Sequence, residues 1–294
     1  MTSAAEFERS VLQIREAYTK SQEDEDRFLN SMYYFLGWLV GDTGKNFSPT
    51  RPWARIQLDL SKKHPENLAL GNSVMSCISS LGIKCGRIAD GPPRKRDSYG
   101  LFRWMSYFSE VFVWFHTSCL GLGKDQLTSY DPVKVRWLLT GHRERIVWFL
   151  RGIADSDGTV NIRNKTVEIT SEPNAQVFRE LFEQLGIHTT VHKSKGVEVL
   201  SLSVSDAYRV KISSPAVETH RSRLLLRLAT ARTFQSRWPV WLETRVTQYL
   251  QEGLDEVALR NRLLFQDNVY VKLSTLKKKN ARMHSGAGGG PSAC

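Results

Sequence analysis

The stretch Phe-Leu-Gly-Trp-Leu-Val-Gly-Asp-Thr-Gly at residues 35–44 returns in altered form as Phe-Leu-Arg-Gly-Ile-Ala-Asp-Ser-Asp-Gly at residues 149–158. Asp42 and Asp157 are 115 positions apart, as are the glycines five residues before them, so the two copies form an internal repeat in register. The apolar residues before each acid recur with the 3.6-residue period of a helix. Each copy therefore predicts an apolar helix that ends at its acid.

Glycine within these two predicted helices needs a reason, because it costs about 1 kcal/mol against alanine in a helix interior. Gly37 and Gly41 are four residues apart, as are Gly152 and Ser156. Residues at this spacing share one helix face, and small side chains there allow two backbones to approach closely. The spacing predicts that the two helices pack together and bring their acids side by side.

The negative charges of the two acids would be unfavourable at these helix ends unless a positive charge compensates them. A carboxylate at a helix C-terminus opposes the helix dipole by about 0.3–1 kcal/mol. Two such charges 4 Å apart repel by about 4 kcal/mol at an effective dielectric near 20. A divalent cation would reverse both terms. The alternative, that Asp42 and Asp157 are ordinary turn residues, explains one copy more easily than two copies in register.

On these residues the chain resembles the LAGLIDADG homing endonucleases, in the single-chain form with two motifs. The resemblance implies an α+β fold of two pseudo-symmetric αββαββ units, with saddle-shaped antiparallel sheets and the motif helices at the central interface. It also implies that Asp42 and Asp157, with the backbone carbonyls of Gly41 and Ser156, bind Mg²⁺ or Mn²⁺. Asp155 is opposite a valine in the first copy, so we interpret it as a local helix-end or interface residue rather than a metal ligand.

The remainder of the chain is organised around the two repeats. We predict an N-terminal helical extension at residues 1–27, a first unit at 28–120, a connector at 121–142, a second unit at 143–237 and a C-terminal helical extension at 238–294. The pattern of the C-terminal extension is compatible with a helix-turn-helix or with a plain helical cap on the second repeat. Its Gly-rich end predicts a disordered tail.

Residues 54–60 alternate between apolar and polar side chains, which predicts a half-buried strand. Its polar face carries Arg55, Gln57 and Asp59. That face is either ordinary solvated surface or, in a sheet over DNA, a set of groups that pair with guanine, adenine and cytosine. With the resemblance, further DNA contacts are predicted for Arg94, Lys95, Arg96, Arg103, Arg163, Glu168, His192, Lys193 and Lys195.

Three local signals predict where helices within the repeats begin and end. Gly82 and Gly186 each stop a predicted helix, since glycine is the commonest residue just after a helix end. Residues 101–108 are predicted to form a strand, and the overlapping aromatic-rich stretch from Trp104 to Trp114 predicts the beginning of the next helix.

The resemblance also implies a cationic or amide side chain near each scissile phosphate, at the strand end before each unit's first long helix. Lys62 occupies this position in the first repeat, and we predict that it stabilises an activated hydroxide. Glu172 in the second repeat departs from the pattern. His188 and His192 are four residues apart on a predicted strand, and we assign them no metal role.

The composition constrains the class of protein. A net charge of +11 and a pI near 9.6 suggest a polyanionic partner, although any basic protein has similar values. The four cysteines show neither CxxC spacing nor disulfide-scaffold density, which is typical of a reducing compartment. No apolar run reaches the roughly 18 residues of a membrane span. We therefore predict a monomeric cytoplasmic protein of a prokaryotic host.

Together these features predict a site-specific, metal-dependent DNA endonuclease, encoded within an intron, whose partner is double-stranded DNA. It would hydrolyse one phosphodiester on each strand of a long asymmetric site and leave short 3′ overhangs. Two alternatives use the same fold: an RNA-splicing maturase and a non-catalytic DNA-binding regulator. The presence of both acids, Asp42 and Asp157, favours the endonuclease.

Overall fold

The computed structural model of the chain describes residues 1–19, 24–93, 98–126, 131–170, 173–194, 196–213, 217–234 and 237–286. The chain forms two compact units. The first comprises residues 1–160 and 166–223, and the second comprises residues 161–165 and 224–294.

The first repeat follows an N-terminal helix, α1 (Ala4–Tyr18). Its elements are α2 (Glu25–Val40), β1 (Thr43–Phe47), β2 (Ala54–Ser61), α3 (Asn67–Ser79), β3 (Cys85–Arg87), β4 (Leu101–Ser106) and α4 (Glu110–Trp114), which continues as a π-helix at Phe115–Cys119. The four strands lie in the order β1-β2-β4-β3, with antiparallel neighbours. A short 3₁₀-helix, Arg136–Thr140, precedes the second repeat.

The second repeat has the same plan. Its elements are α5 (Arg143–Asp157), β5 (Gly158–Asn161), β6 (Thr166–Thr170), α6 (Ala175–Gln184), β7 (Thr189–Ser194), β8 (Val197–Ser203) and α7 (Val204–Arg209). Its strands lie in the order β5-β6-β8-β7. The identical order of helices and strands in the two repeats confirms the predicted α+β fold of two αββαββ units.

The backbones of α2 and α5 touch at their glycines. A Cβ atom added to Gly37 would lie 2.2 Å from the carbonyl oxygen of Phe149 and 2.9 Å from the Cα of Gly152. A Cβ on Gly152 would lie 2.1 Å from the carbonyl oxygen of Tyr34. No side chain fits at these distances, so only glycine permits this approach. The contact confirms the packing that the small-residue spacing predicts.

A buried arginine joins the N-terminal halves of the same helices. The guanidinium of Arg145 on α5 donates to Oδ1 of Asn30 on α2 at 2.5 Å and also bonds the carboxylate of Asp26. Asn30 in turn donates to Glu144 at 3.1 Å. Because Arg145 is only 8% exposed, the neighbouring acceptors are what allow its charge to be buried. The two helices are therefore held at both ends, by backbone contact at one and by this cluster at the other.

Two helix ends agree with the sequence and one helix start does not. Gly82 and Gly186 follow α3 and α6 in the left-handed region, with φ of +76° and +70°, as the predicted stops require. The helix expected from Trp104 begins instead at Glu110, where the Ser109 hydroxyl accepts from the Val111 amide. Trp104 belongs to β4, which pairs with strands on both sides, and ladder pairing overrides the helical spacing of the aromatic residues.

The second unit has its own core. Its elements are α8 (His220–Thr230), most of which lies in this unit, β9 (Arg232–Thr233), α9 (Val240–Gln251), α10 (Glu256–Gln266), β10 (Val269–Tyr270) and α11 (Leu273–Gly286). The three last helices share a buried cluster of Leu242, Val246, Tyr249, Leu259, Leu263, Val269, Val271 and Leu276. The turn between α9 and α10 contains Gly253 in the left-handed region, which is typical of a helix-turn-helix. That assignment stays a prediction.

No helix in the described ranges has the length and apolar character needed to cross a membrane. The expected disordered tail falls almost entirely outside those ranges.

The glycine contact leads to a stability prediction. Gly37→Ala forces α2 and α5 apart, and we expect it to lower the free energy of unfolding by about 3 kcal/mol, the upper end of the usual cost of overpacking, because the added Cβ meets backbone atoms that cannot turn aside. Gly86→Ala is the matched control, because a Cβ there would meet nothing within 4 Å. Denaturant unfolding of both variants measures the difference. Equal stability of the two variants would contradict the backbone contact.

Candidate metal centre and nucleic-acid interface

Asp42 and Asp157 meet at the C-terminal ends of the two packed helices. Asp42 follows the last turn of α2, and Asp157 is the final residue of α5. Their carboxylates lie within hydrogen-bonding reach of each other. Asp42 is exposed as a residue and Asp157 is half-buried, although enough protein lies around both carboxyl groups for desolvation to affect their ionisation. A Cβ on Gly41 would lie 3.0 Å from Oδ2 of Asp157, so the glycine makes room for the pair.

The proximity of the two carboxylates changes their protonation. Burial, and then the charge and hydrogen bond of Asp42, raise the pKa of Asp157 well above its usual range. Burial also raises the pKa of Asp42, while the hydrogen bond from Asp157 and the charge of Arg221 lower it. Two carboxyl groups in contact do not both ionise easily, because their negative charges repel. Without a cation, the pair therefore tends to hold one shared proton.

Two cations act on the pair. The guanidinium of Arg221 donates to the carbonyl oxygen of Asp155 at 2.7 Å and to those of Ala154 and Ser156 at 3.3 and 3.4 Å, and it favours the ionised carboxylates. Lys45 on β1 is 7% exposed, and burial lowers its pKa to about 8, against the opposing charges of Asp131 and Asp157. Arg221 thus caps the negative end of α5, where a cation is favoured.

Neither of these cations is predicted from the sequence. Arg221 lies far along the chain from the motif and belongs to no repeat pattern, so no sequence signal identifies it. Lys45 has a signal: in strand β1 it is the second residue after the buried Thr43, and alternation places both side chains on the inner face. A lysine that faces inward from the strand following a motif acid can therefore be recognised as a candidate site residue.

The donor set at the helix ends fits a hard divalent cation. Carboxylate and carbonyl oxygens are the ligands that Mg²⁺ and Mn²⁺ prefer. The predicted carbonyl ligands are partly engaged: that of Gly41 accepts from the Thr43 amide at 2.9 Å, and that of Ser156 accepts from Arg221. Each carbonyl oxygen has a second lone pair, so their role as ligands stays a prediction alongside that of the two acids.

Asp155 and Lys62 make contacts that bear on their predicted roles. Oδ2 of Asp155 accepts a hydrogen bond from Tyr34 on α2 at 2.8 Å, in a buried position between the motif helices. This contact agrees with an interface residue. Nζ of Lys62 pairs with Oδ2 of Asp90 at 2.7 Å. The catalytic role of Lys62 stays a prediction. The cations that act on the two acids in this structure are Arg221 and Lys45.

The polar face of β2 forms a continuous row with β4. Gln57 donates to Oδ1 of Asp59 at 3.1 Å, and Nε of Arg103 donates to the same oxygen at 3.2 Å. Arg55 lies over the Phe108 ring, 5.0 Å from its centroid. All four polar side chains are partly exposed. The Asp59 carboxylate is therefore engaged in hydrogen bonds within the sheet, whereas Arg55 and Gln57 retain N–H donors for an outside partner.

The predicted contacts in the second repeat are spread over two units. Glu168 on β6 accepts from Thr166 at 3.2 Å, and His192 and Lys193 are exposed on β7. Arg163 is exposed in the turn after β5, which groups with the second compact unit. The predicted contacts Arg94, Lys95, Arg96 and Lys195, and the departing Glu172, lie outside the described residues.

A further group of metal-ligating residue types comes together from distant positions. The ligand atoms of His64, Glu66 and His220 lie within 4.8 Å of one another. The two imidazoles stack at 15°, and Glu66 already pairs with Arg223 at 2.7 Å. The positive charges of Lys63 and Arg221 act on His64 and disfavour the binding of a divalent cation by this group. We assign it no metal.

Comparison with protein-family models matches residues 144–238 to the LAGLIDADG-like domain. The second repeat is thus similar to a LAGLIDADG-like domain. The match begins at the second residue of α5 and takes in the motif acid Asp157, the four strands of that repeat and α8. A search of curated proteins finds no similar protein.

Several solved structures are similar at low identity. One describes mesophilic variants of the homing endonuclease I-DmoI, with 16% identity and a TM-score of 0.44 over 62% of this chain and 93% of that chain. Another shows I-DmoI in complex with DNA and Mn, with 15% identity and a TM-score of 0.43 over 62% and 94%. Full-length DUF199/WhiA from Thermatoga maritima has 16% identity and a TM-score of 0.43 over 95% and 96%.

The acid pair leads to a prediction for the metal-free protein. A carboxyl whose pKa is raised by folding holds its proton more tightly when folded, so stability is lost as the pH rises from the ordinary aspartate pKa of about 3.9 through the raised value. Asp157→Asn removes this loss. In EDTA we expect its melting temperature to exceed that of the wild type, by a margin that grows with pH.

The control for this prediction is Asp125→Asn, which makes the same charge change at an exposed position. Addition of Mg²⁺ or Mn²⁺ should stabilise the wild type and the control but not Asp157→Asn. A melting temperature for Asp157→Asn that stays at or below the wild-type value throughout the pH range would mean that the pair carries no repulsion.

Proposed function

We propose that this protein is a metal-dependent, site-specific endonuclease that hydrolyses one phosphodiester on each strand of duplex DNA. The observation that supports this most strongly is the pair Asp42 and Asp157. Two separate helices contribute one acid each, and the glycine contact between those helices brings the carboxylates together at the protein surface.

The energetics of the pair favour a cation. The raised pKa values of both acids mean that the fold makes ionisation unfavourable there, and no ordinary turn requires two acids in contact. The free energy lost in holding them together is recovered when a divalent cation is bound, because binding to the folded state adds stability. Such a pair lowers the stability of the metal-free fold, but it provides the ligands that metal-dependent hydrolysis requires.

The residues that would hold the metal are Asp42 and Asp157, with the carbonyls of Gly41 and Ser156. When bound, Mg²⁺ or Mn²⁺ lowers the pKa of a water molecule and neutralises charge on the phosphate oxygens. The charges of Arg221 and Lys45 favour the ionised form of Asp157, and Arg221 also favours that of Asp42, which offsets part of the cost of ionising the pair. Lys45 itself, with its pKa lowered to about 8, can release or accept a proton near neutral pH.

The remaining features suit a nucleic-acid substrate. The partly exposed row on β2 offers the guanidinium of Arg55 and the amide of Gln57, which pair with guanine and adenine in the major groove. The net charge of +11 favours association with a polyanion. We propose that the two sheets supply base contacts and that the acid pair supplies hydrolysis.

One observation favours a second candidate, a DNA-binding regulator. The helices α9, α10 and α11 form a compact unit with a four-residue turn between the first two, an arrangement typical of DNA-binding helix-turn-helix modules. Such a regulator would bind DNA without cutting it. Loss of a motif acid would be expected in that case, and this chain has both.

The acids provide the direct test of cleavage. In Asp42→Asn we expect double-strand cleavage of a duplex library to disappear in Mg²⁺, because one carboxylate of the pair is lost. Binding to the same DNA should persist or tighten slightly, since a negative charge facing phosphate is removed. Gel analysis of cleavage, with binding measured in Ca²⁺, separates the two effects. A wild type that binds DNA and cuts nothing in Mg²⁺ or Mn²⁺ would support the regulator.

Base readout gives a separate prediction. Gln57→Ala should relax the base preference at one or two base pairs by about 1–3 kcal/mol for each bidentate pair that it removes. Gln176→Ala, on helix α6 away from the sheet surface, serves as the control. Sequencing the bound fraction of a randomised duplex pool measures both preferences. If the Gln57→Ala profile coincides with those of the wild type and the control, the β2 face is ordinary surface.

A further inference from the structure

The positive charge of the chain is concentrated in the second compact unit. Its residues include thirteen lysines and arginines against five aspartates and glutamates. Eight of the eleven excess positive charges therefore belong to about a quarter of the chain, and none of them belongs to the sheets that we propose to read base sequence.

A cleft of about 490 Å³ lies between the turn at residues 161–165 and the beginning of α11, within this unit. Among the described residues, its polar lining consists of Arg163, Asn164, Lys165, Lys272, Ser274 and Lys277, with no carboxylate. Arg163, Lys272, Ser274 and Lys277 are exposed, and Lys165 is half-buried. The cleft thus presents four cations and neutral hydrogen-bonding groups to solvent.

Three other cations of the unit make ion pairs, whereas the four cations of the cleft do not. Elsewhere in the same unit, Arg262 pairs with Glu252, Arg245 with Asp267, and Lys279, on the same helix as Lys277, with Glu243. Within the part of the chain that the structure describes, Arg163, Lys165, Lys272 and Lys277 make no ion pair, and only the charge of Lys277 acts on a carboxylate, that of Glu256, at longer range. Their charges repel one another, and a bound anion would remove that cost.

The turn that forms one wall of the cleft is fixed in place. Tyr270, which is buried, donates a hydrogen bond to the carbonyl oxygen of Arg163 at 2.8 Å. Nζ of Lys165 lies 4.9 Å from the centroid of the Tyr270 ring. Lys165 has a φ of +55°, a backbone conformation that glycine or asparagine adopts more easily. Nζ of Lys165 also donates to the Thr233 hydroxyl at 3.5 Å, so the side chain is held at the wall of the cleft.

We propose that this cleft binds the phosphate backbone of duplex DNA. The inference rests on the proposed function only in that the chain binds duplex DNA, and it assigns this unit a role in affinity rather than in base reading. Exposed, separated cations suit an extended polyanion, because contacts of this kind bind phosphates without regard to sequence. A small free anion such as pyrophosphate shares the chemistry and is the other source that the experiment distinguishes.

The experiment compares two double variants that remove equal charge. Lys272→Ala with Lys277→Ala empties part of the cleft, and Arg227→Ala with Lys278→Ala removes two exposed cations of the same unit that do not line it. Binding to a mixed-sequence duplex is measured by fluorescence anisotropy across a salt series in EDTA, which prevents cleavage. For each phosphate that a variant no longer neutralises, the slope of log affinity against log salt should become shallower by about 1.

We expect the cleft variant to bind more weakly at every sequence, with a slope shallower by about 2, and the control to resemble the wild type. Lys165→Gly should weaken binding in the same direction without straining the backbone. Melting temperatures of all variants verify that they are folded. Pyrophosphate should compete only weakly with the duplex for the wild type, because it offers fewer phosphates to the separated cations.

Three results would overturn the proposal, and they have different meanings. A wild type that does not bind duplex DNA overturns the proposed function as well. A wild type that binds, with equal losses in the cleft and control variants, overturns the cleft alone. Tight pyrophosphate binding that the cleft variant loses, with duplex binding unchanged, would make the cleft a small-anion site.

Discussion

The rest of the structure depends on the backbone contact between α2 and α5. Gly37 and Gly152 leave no space for a side chain between the helices, and Gly41 continues the same face to the helix ends. At the other end, Arg145 ties α5 to α2 through Asn30 and Asp26. With both ends fixed, the helices bring together Asp157, the last residue of α5, and Asp42, which lies in the turn two residues beyond α2.

This geometry explains why the pKa values of the two acids are raised. Two carboxylates delivered by separate rigid helices cannot move apart to relieve their repulsion, so their pKa values rise and their charge must be balanced locally. Arg221 and Lys45 supply part of that balance, from a later helix and from the adjacent strand. The remaining imbalance is what we attribute to a divalent cation, and it is the physical link between the fold and the proposed hydrolysis.

The sequence predicts those parts of this arrangement that local periodicity encodes. Repetition in register and the placement of glycine predict the meeting of the two helices, and the resemblance that the motifs carry implies the two αββαββ units. The alternation of residues 54–60 predicts β2 and its polar face. Arg221 cannot be found in this way, since its contact with α5 joins residues far apart in the chain. The predicted start of α4 is wrong because strand pairing at Trp104 outweighs local aromatic spacing.

The central claim is that Asp42 and Asp157 jointly bind a divalent cation, and an anomalous-scattering experiment tests it most directly. Crystals of the protein soaked in Mn²⁺ should show an anomalous peak in contact with a carboxylate oxygen of each residue, at about the 2.1–2.2 Å typical of hard cations with oxygen ligands. The peak should be absent from Asp42→Asn crystals soaked in the same way. If the wild-type map instead shows the two carboxyls bonded to each other, with manganese only at other positions such as His64 and His220, the account is contradicted.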